Sequence, residues 1–258
     1  IDGVKYIEED ILNIGNIIND FDLCFHLAAQ SRVQPSFKNP EESFLVNAQG
    51  TSKVMEWARL NNTKVIYAGS SSKHHNPSDS PYAMYKFLGE EVCKLYKDSY
   101  NVNVEIARFY NVYGPGENVD ERYGNVIGIW RSMIIKGEPL PIVGDGEQRR
   151  SFTYIDDVVE LLLKVQSCDS SETFNVGNNK TSSLNEVIKI IENFSHKEAQ
   201  VNNQPRAFRD PDVVLPSLSK SKQILNWEPS TNIEEGIKST IEWYSSFQDK
   251  IKDYTYIE

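Results

Sequence analysis

Short apolar runs alternate along the chain with longer stretches in which apolar side chains recur every three or four positions. Val4-Lys5-Tyr6-Ile7 alternates as a strand does and ends at the acids Glu8, Glu9 and Asp10. Ile11, Leu12, Ile14, Ile17 and Ile18 predict a helix, and residues 23–29 read as a short apolar strand. The pattern then predicts a helix from about 40 to 60, a strand over 64–68, a helix from 81 to about 100 and a strand over 102–108. Strands separated by helices predict right-handed βαβ crossovers and a parallel sheet. The nearly unbroken apolar character of these strands predicts a sheet covered on both faces.

Beyond residue 108 the rhythm changes. Tyr113-Gly114-Pro115-Gly116 marks a loop, 125–136 a helix, and 141–143 a short strand closed by the turn Gly144-Asp145-Gly146. A helix over 154–166, a strand over 173–176 and helices over 184–193, 220–225 and 233–247 complete the reading. The expected class is α/β: a Rossmann-like parallel sheet over 1–109, then a smaller mixed lobe over 110–258 with segments that return to the sheet.

At 258 residues, with 39% apolar and 25% charged side chains, the chain supports a sizeable core. A net charge of −10 excludes nucleic acid or an anionic membrane as the main partner, because either needs a counter-charge. Cys24, Cys93 and Cys168 are odd in number and widely spaced, which points to a reducing, cytoplasmic setting and to no zinc site. His74 and His75 are adjacent and so point apart, and no carboxylate or thiol stands at ligand spacing; no metal is expected.

The chemistry concentrates at Tyr82-Ala83-Met84-Tyr85-Lys86. Four positions on a helix bring the Tyr82 phenol and the Lys86 ammonium to one face. A phenol has a pKa near 10, so its use as a base at neutral pH requires about 4 kcal/mol. A cation about 4 Å away supplies roughly 4 kcal/mol at an effective dielectric near 20, before the cost of desolvating a phenolate. The lysine alone is therefore barely sufficient, and a second positive charge would complete the activation. Upstream, strand 64–68 runs into Gly69-Ser70-Ser71-Ser72, hydroxyls at the strand end where α/β folds bind ligands. Ser70 can donate to the oxygen that Tyr82 deprotonates.

With these motifs in order, the chain resembles the extended short-chain dehydrogenases/reductases, and among them the NAD-dependent nucleotide-sugar epimerases and dehydratases of the UDP-glucose 4-epimerase type. The likeness rests on Asp10-Ile11, His26-Leu27-Ala28-Ala29-Gln30, Asn47-Ala48-Gln49-Gly50-Thr51, the Ser70 cluster and Tyr82-x-x-x-Lys86. It continues through Arg108-Phe109-Tyr110-Asn111-Val112-Tyr113-Gly114-Pro115-Gly116, the segment 143–152, Ser219-Lys220 and Leu225-Asn226-Trp227-Glu228-Pro229.

The resemblance implies NAD as cofactor, a nucleotide-diphosphate sugar (UDP favoured) as substrate and a homodimer. It implies that Asp10 and Ile11 lie against adenine, that Leu27, Ala28 and Ala29 line the pyrophosphate and ribose, and that Asn47 and Phe109 also meet the cofactor. Lys86 would hold the nicotinamide ribose as well as tune Tyr82. Asn111, Asn125 and Val126 would meet the diphosphate and base, with Arg150 and Arg206 on phosphate or ribose oxygens. It implies 4-epimerisation through a 4-keto sugar. The dehydratases of the family carry Asp and Glu after the catalytic hydroxyl, where this chain has Ser71 and Ser72. Dehydration, decarboxylation or reduction by the same scaffold is the alternative, and non-catalytic binding of a sugar nucleotide a third reading. The family's first strand and glycine-rich phosphate turn would precede Ile1, so the given chain is expected to be a fragment that binds NAD weakly.

Overall fold

The computed structural model describes residues 3–17, 21–74, 76–120, 124–205 and 213–246. Backbone contacts divide the chain into two units, Ile1–Arg108 with Leu162–Phe174, and Phe109–Leu161 with Asn175–Glu258.

In the first unit, β1 (Leu23–His26) is followed by α1 (Val33–Lys38), α2 (Pro40–Phe44) and α3 (Thr51–Asn61). Then come β2 (Lys64–Ser70), the long helix α4 (Pro81–Tyr100) and β3 (Val104–Phe109). β1 and β2 are parallel, with Leu23 opposite Lys64 and His26 opposite Tyr67. The four-stranded sheet runs β1–β2–β3 and then Thr173–Val176, so the helices between strands serve as crossovers in a Rossmann-like α/β fold. The core under α3 and α4 holds Met55, Trp57, Val65, Tyr67, Cys93, Val104 and Ile106.

The sequence explains the ends of α4. Ser80 accepts from the Ala83 amide at 3.1 Å as an N-cap, Pro81 takes the first turn, and Asn101 closes the helix in the left-handed region. Two polar side chains on neighbouring strands fasten the returning segment. Lys64 Nζ donates to the carbonyls of Val165, Gln166 and Cys168, at the carboxyl end of a helix. The buried Glu105 accepts from the Ser171 and Glu172 amides at 2.8 and 2.6 Å.

The second unit contains β4 (Val112–Tyr113), α5 (Val126–Lys136), β5 (Leu140–Val143), β6 (Arg149–Arg150), β7 (Thr153–Tyr154) and the start of α6 (Ile155–Gln166), whose last residues belong to the first unit. After β8 (Thr173–Val176) come β9 (Ser182–Ser183), α7 (Leu184–Ser195), β10 (Val201–Gln204) and β11 (Val213–Val214). Helices α8 (Ser219–Leu225) and α9 (Ile233–Ser246) end the described chain. Its core gathers Tyr113, Ile127, Trp130, Leu140, Ile142, Phe152, Ile191 and Ile237.

Three expectations shift. Residues 4–10 form no strand, and Val4, Tyr6 and Ile7 are exposed, because alternation makes a strand only where a partner supplies hydrogen bonds. The expected helix after Asp10 is a short 3-10 helix, Ile11–Asn16. The helix expected over 40–60 contains a π-helical turn, Leu45–Gly50, between α2 and α3.

Candidate active site

The carboxyl end of β2 and the first turns of α4 place the reactive groups. Tyr82 Oη donates to Ser70 Oγ at 3.2 Å, and Lys86 Nζ donates to the Ala68 carbonyl at 2.6 Å. Both side chains thus reach the same strand end, as their spacing of four requires. The Tyr82 amide donates to the buried Ser36 Oγ at 3.1 Å, which fixes the start of the helix against α1. Ser70 also accepts from the Ser72 amide at 3.1 Å, so its oxygen is held in place.

Burial raises the Tyr82 phenol above its ordinary value, and the Ser70 hydrogen bond offsets this only in part. The expected lowering by the neighbouring lysine is therefore absent here, since desolvation penalises the phenolate and the ammonium is turned to the Ala68 carbonyl. Burial lowers Lys86 to about 8. Lys86 is buried, Tyr82 partly so, and the pair is short of positive charge, so activation of the phenol calls for a ligand that brings more.

Beyond the dyad, Glu90 stands one turn after Lys86 and takes a bidentate pair from Arg108 at 2.9 and 2.6 Å. Ser36, Glu90 and Arg108 were not legible as site residues. Only Glu90 left a signal, its place four positions beyond Lys86.

The remaining expected residues fall into two groups. In the first unit, Leu27, Ala28 and Ala29 leave the end of β1 with exposed side chains rather than extending the strand. Asn47 lies buried beside them: its carbonyl oxygen accepts from the Gln30 amide at 2.9 Å and its amide donates to the Gln30 carbonyl at 3.0 Å. It also donates to Ser43 Oγ at 3.3 Å. Asp10 is exposed and caps the 3-10 helix through the Leu12 amide at 2.7 Å, and Ile11 packs against Gly50.

In the second unit, Phe109 ends β3 and is partly buried. Asn111, with φ of 39°, donates to the Ser151 carbonyl at 2.8 Å, beside Arg150. Asn125 donates to the Val112 carbonyl at 2.8 Å and precedes Val126, the first residue of α5, without a side-chain cap bond. Asn111, Asn125, Val126 and Arg150 are thereby linked through β4 and Ser151. Arg206 lies outside the described residues, as does His75. Among the described residues no cluster of metal-ligating side chains occurs.

The model of the NAD-dependent epimerase/dehydratase family matches residues 4–177. The chain belongs to this family. UDP-glucuronate 4-epimerase of Thermodesulfobacterium geofontis is 31% identical over 97% of this chain and 82% of its own length. Among solved structures, the UDP-glucuronic acid 4-epimerase of Bacillus cereus, in complex with UDP-glucuronic acid and NAD, superposes with a TM-score of 0.84 at 26% identity, covering 93% of this chain and 81% of that one. The epimerase Mth375 of Methanothermobacter thermautotrophicus gives 0.88 at 28% identity, over 98% and 82%. The Rossmann-like fold and an NAD-dependent enzyme are thereby established for the family member described here.

NAD fits the residues present. Small side chains at 28 and 29 leave the backbone open at the end of β1, beside the strand end that carries Ser70. At the close of that segment, Gln30 Oε1 is buried without a hydrogen-bond partner.

Proposed function

We propose that this chain is a 4-epimerase of UDP-linked sugars, with Ser70, Tyr82 and Lys86 as its catalytic residues. The observation that carries the reading is the Tyr82–Ser70 contact of 3.2 Å at the end of β2, with Lys86 buried one turn along the same helix. Tyr82 takes the proton of the sugar C4 hydroxyl, and Ser70 holds the same oxygen. NAD, when bound, would take the C4 hydrogen as hydride and later return it, and as NAD⁺ would add a positive charge near the dyad. Tyr82 returns its proton to the 4-keto oxygen after the sugar has presented its other face.

Leu27, Ala28 and Ala29 form the cofactor path, with Asp10, Ile11 and Phe109 at its margins. Asn47 acts by holding the Gln30 backbone below that path. Asn111, Asn125 and Val126 face the diphosphate and base, where the uncapped amino end of α5 suits an anion. Arg150 and Arg206 complete the pairing. Ser71 and Ser72 offer no acid or base for elimination, which favours epimerisation over dehydration. Exposed Leu60, Leu95 and Tyr100 on α3 and α4 support a homodimer, and the unpaired thiols of Cys24, Cys93 and Cys168 support a cytoplasmic enzyme.

The test is to incubate the protein with UDP-glucose or UDP-glucuronate and NAD and follow C4 configuration by NMR. Inversion at C4 is expected, with Tyr82→Phe slower by about 10²–10⁴-fold. Release of water or CO₂ in place of inversion would overturn the assignment.

A further inference from the structure

Lys86 is a buried cation whose surroundings are unusual. Its Nζ lies 4.5 Å from the centroid of the Tyr67 ring, which is itself fully buried in β2. Of the three N–H donors of the ammonium, one goes to the Ala68 carbonyl. Glu90 is near enough to favour the charged form, but both its oxygens are engaged by Arg108. We propose that the face of Tyr67 is the seat of the Lys86 ammonium, making Tyr67 a positioning residue that keeps the lysine charged without offering it a base.

Three features of the structure serve this seat. The first is Gly89, one turn beyond Lys86, where an added methyl carbon would lie 2.3 Å from the Tyr67 hydroxyl oxygen. A glycine inside a helix is costly, and here the space it leaves admits the ring. The second is His26 on β1, whose ring stands 5.2 Å from that of Tyr67 at 53°. Thr51 Oγ1 donates to the Asn47 carbonyl at 2.8 Å, so the His26 Nε2, 3.0 Å from the same oxygen, carries the proton and donates. Burial and the Lys86 charge depress His26 to about 3, so the imidazole backs the ring as a neutral group. The third is the Tyr67 hydroxyl, which is buried and makes no close hydrogen bond, with only a weak interaction with Thr51. The ring, not the hydroxyl, is what the site uses.

The choice of an aromatic face has a chemical reason. A carboxylate bonded to Lys86 would hold the ammonium in one place and compete for it with Tyr82 and substrate. The negative face of a ring attracts the cation, more strongly when water is excluded, and cannot accept its proton. The groups that face Lys86 are then His26 from β1, Tyr67 and the Ala68 carbonyl from β2, and Glu90 and Cys93 from α4.

The inference rests on the epimerase reading only for its kinetic arm. In the first arm, lysine labelled at Cε is titrated by NMR in the 258-residue protein, with Tyr67 replaced by Phe and then by mono-, di- and trifluorinated phenylalanine. These rings keep their volume while their faces lose negative potential, so folding is preserved. The proton affinity of Lys86 is expected to match wild type with Phe and to fall stepwise with fluorination, by about tenfold in all. An affinity that stays flat across the series overturns the proposal, whether or not the protein is an epimerase. In the second arm, Tyr67→Leu is compared with Tyr67→Phe for kcat against pH. Loss of the cation removes active enzyme only where Lys86 can give up its proton. The leucine variant should therefore lose its alkaline limb and keep its acid limb, with KM unchanged and with Phe behaving as wild type. A loss equal at every pH would mark a merely structural role and overturn the proposal. Stepwise fluorination effects in a protein that fails to invert C4 would uphold the seat and count against the epimerase reading.

Discussion

Glu90 and Glu117 are both acids whose carboxylates are shielded from water near an arginine, one in each unit, and they are built oppositely. Glu90, on α4, gives both oxygens to Arg108 in a planar fork at 2.9 and 2.6 Å. Gly69 lets the arginine lie close, since a methyl there would stand 2.9 Å from Arg108 Cγ. Glu117, in the loop before α5, has two buried oxygens that no such ion-pair fork engages. Arg131 lays its guanidinium 3.6 Å from the centre of the Tyr244 ring. Burial pushes the Glu117 carboxyl up to about 8, and the charge of Arg131 and the Gly128 amide offset this only in part. The same two residue types thus make a forked ion pair on α4 and a carboxyl raised by burial in the second unit. Pairing geometry decides which, because desolvation is charged to both.

The contrast is broken most strongly at Glu90. Glu90→Gln removes the charge of the Glu90–Arg108 fork, and a loss of about 3–5 kcal/mol in urea unfolding is expected. Most of it should return when Arg108→Met is added; a double variant as unstable as the single one would show that shape, not charge, holds the site. At Glu117 the expectation concerns pH. Its carboxyl is raised from 4.5 to about 8 in the folded chain, so between these values the folded state holds a proton that the unfolded state has released. Stability therefore falls as pH rises through this window, by up to about 1.4 kcal/mol per pH unit from this group. Unfolding at pH 5, 6.5 and 8 should show the decline in wild type and a flatter course in Glu117→Gln. The mildest test is Arg131→Lys, which keeps the charge but forfeits planar stacking on Tyr244. A loss of about 0.5–1 kcal/mol is expected, and none would mean that the stacking is incidental.

What the sequence disclosed followed from local rules. The 20 residues of α4, with Ser80, Pro81 and Asn101 at its ends, obey capping chemistry that any reader of the chain can apply, and the dyad follows from their period. The strand over 64–68 was legible because it is buried on both faces. Other features depend on partners distant in sequence. β4, β6, β7, β9 and β11 are two residues long, too short for any alternation to show. The π-turn at 45–50 adds one residue to a helical period without changing composition. The seat of Lys86 joins Tyr67, His26 and Gly89 from three elements, and nothing in their spacing announces it. Glu117 and Arg131 carry no sequence signal of their burial, which packing alone decides.

The fastening of residues 165–172 by Lys64 and Glu105 has a genetic consequence. The chain passes between the two units at 108–109, 161–162 and 174–175. A gene cut at 108–109 cannot encode the first unit intact, because its carbonyl and amide partners for those two side chains arrive after the second unit has begun. The first unit is completed by residues 162–174, synthesised only after 109–161, so on the ribosome it waits for its own last segment.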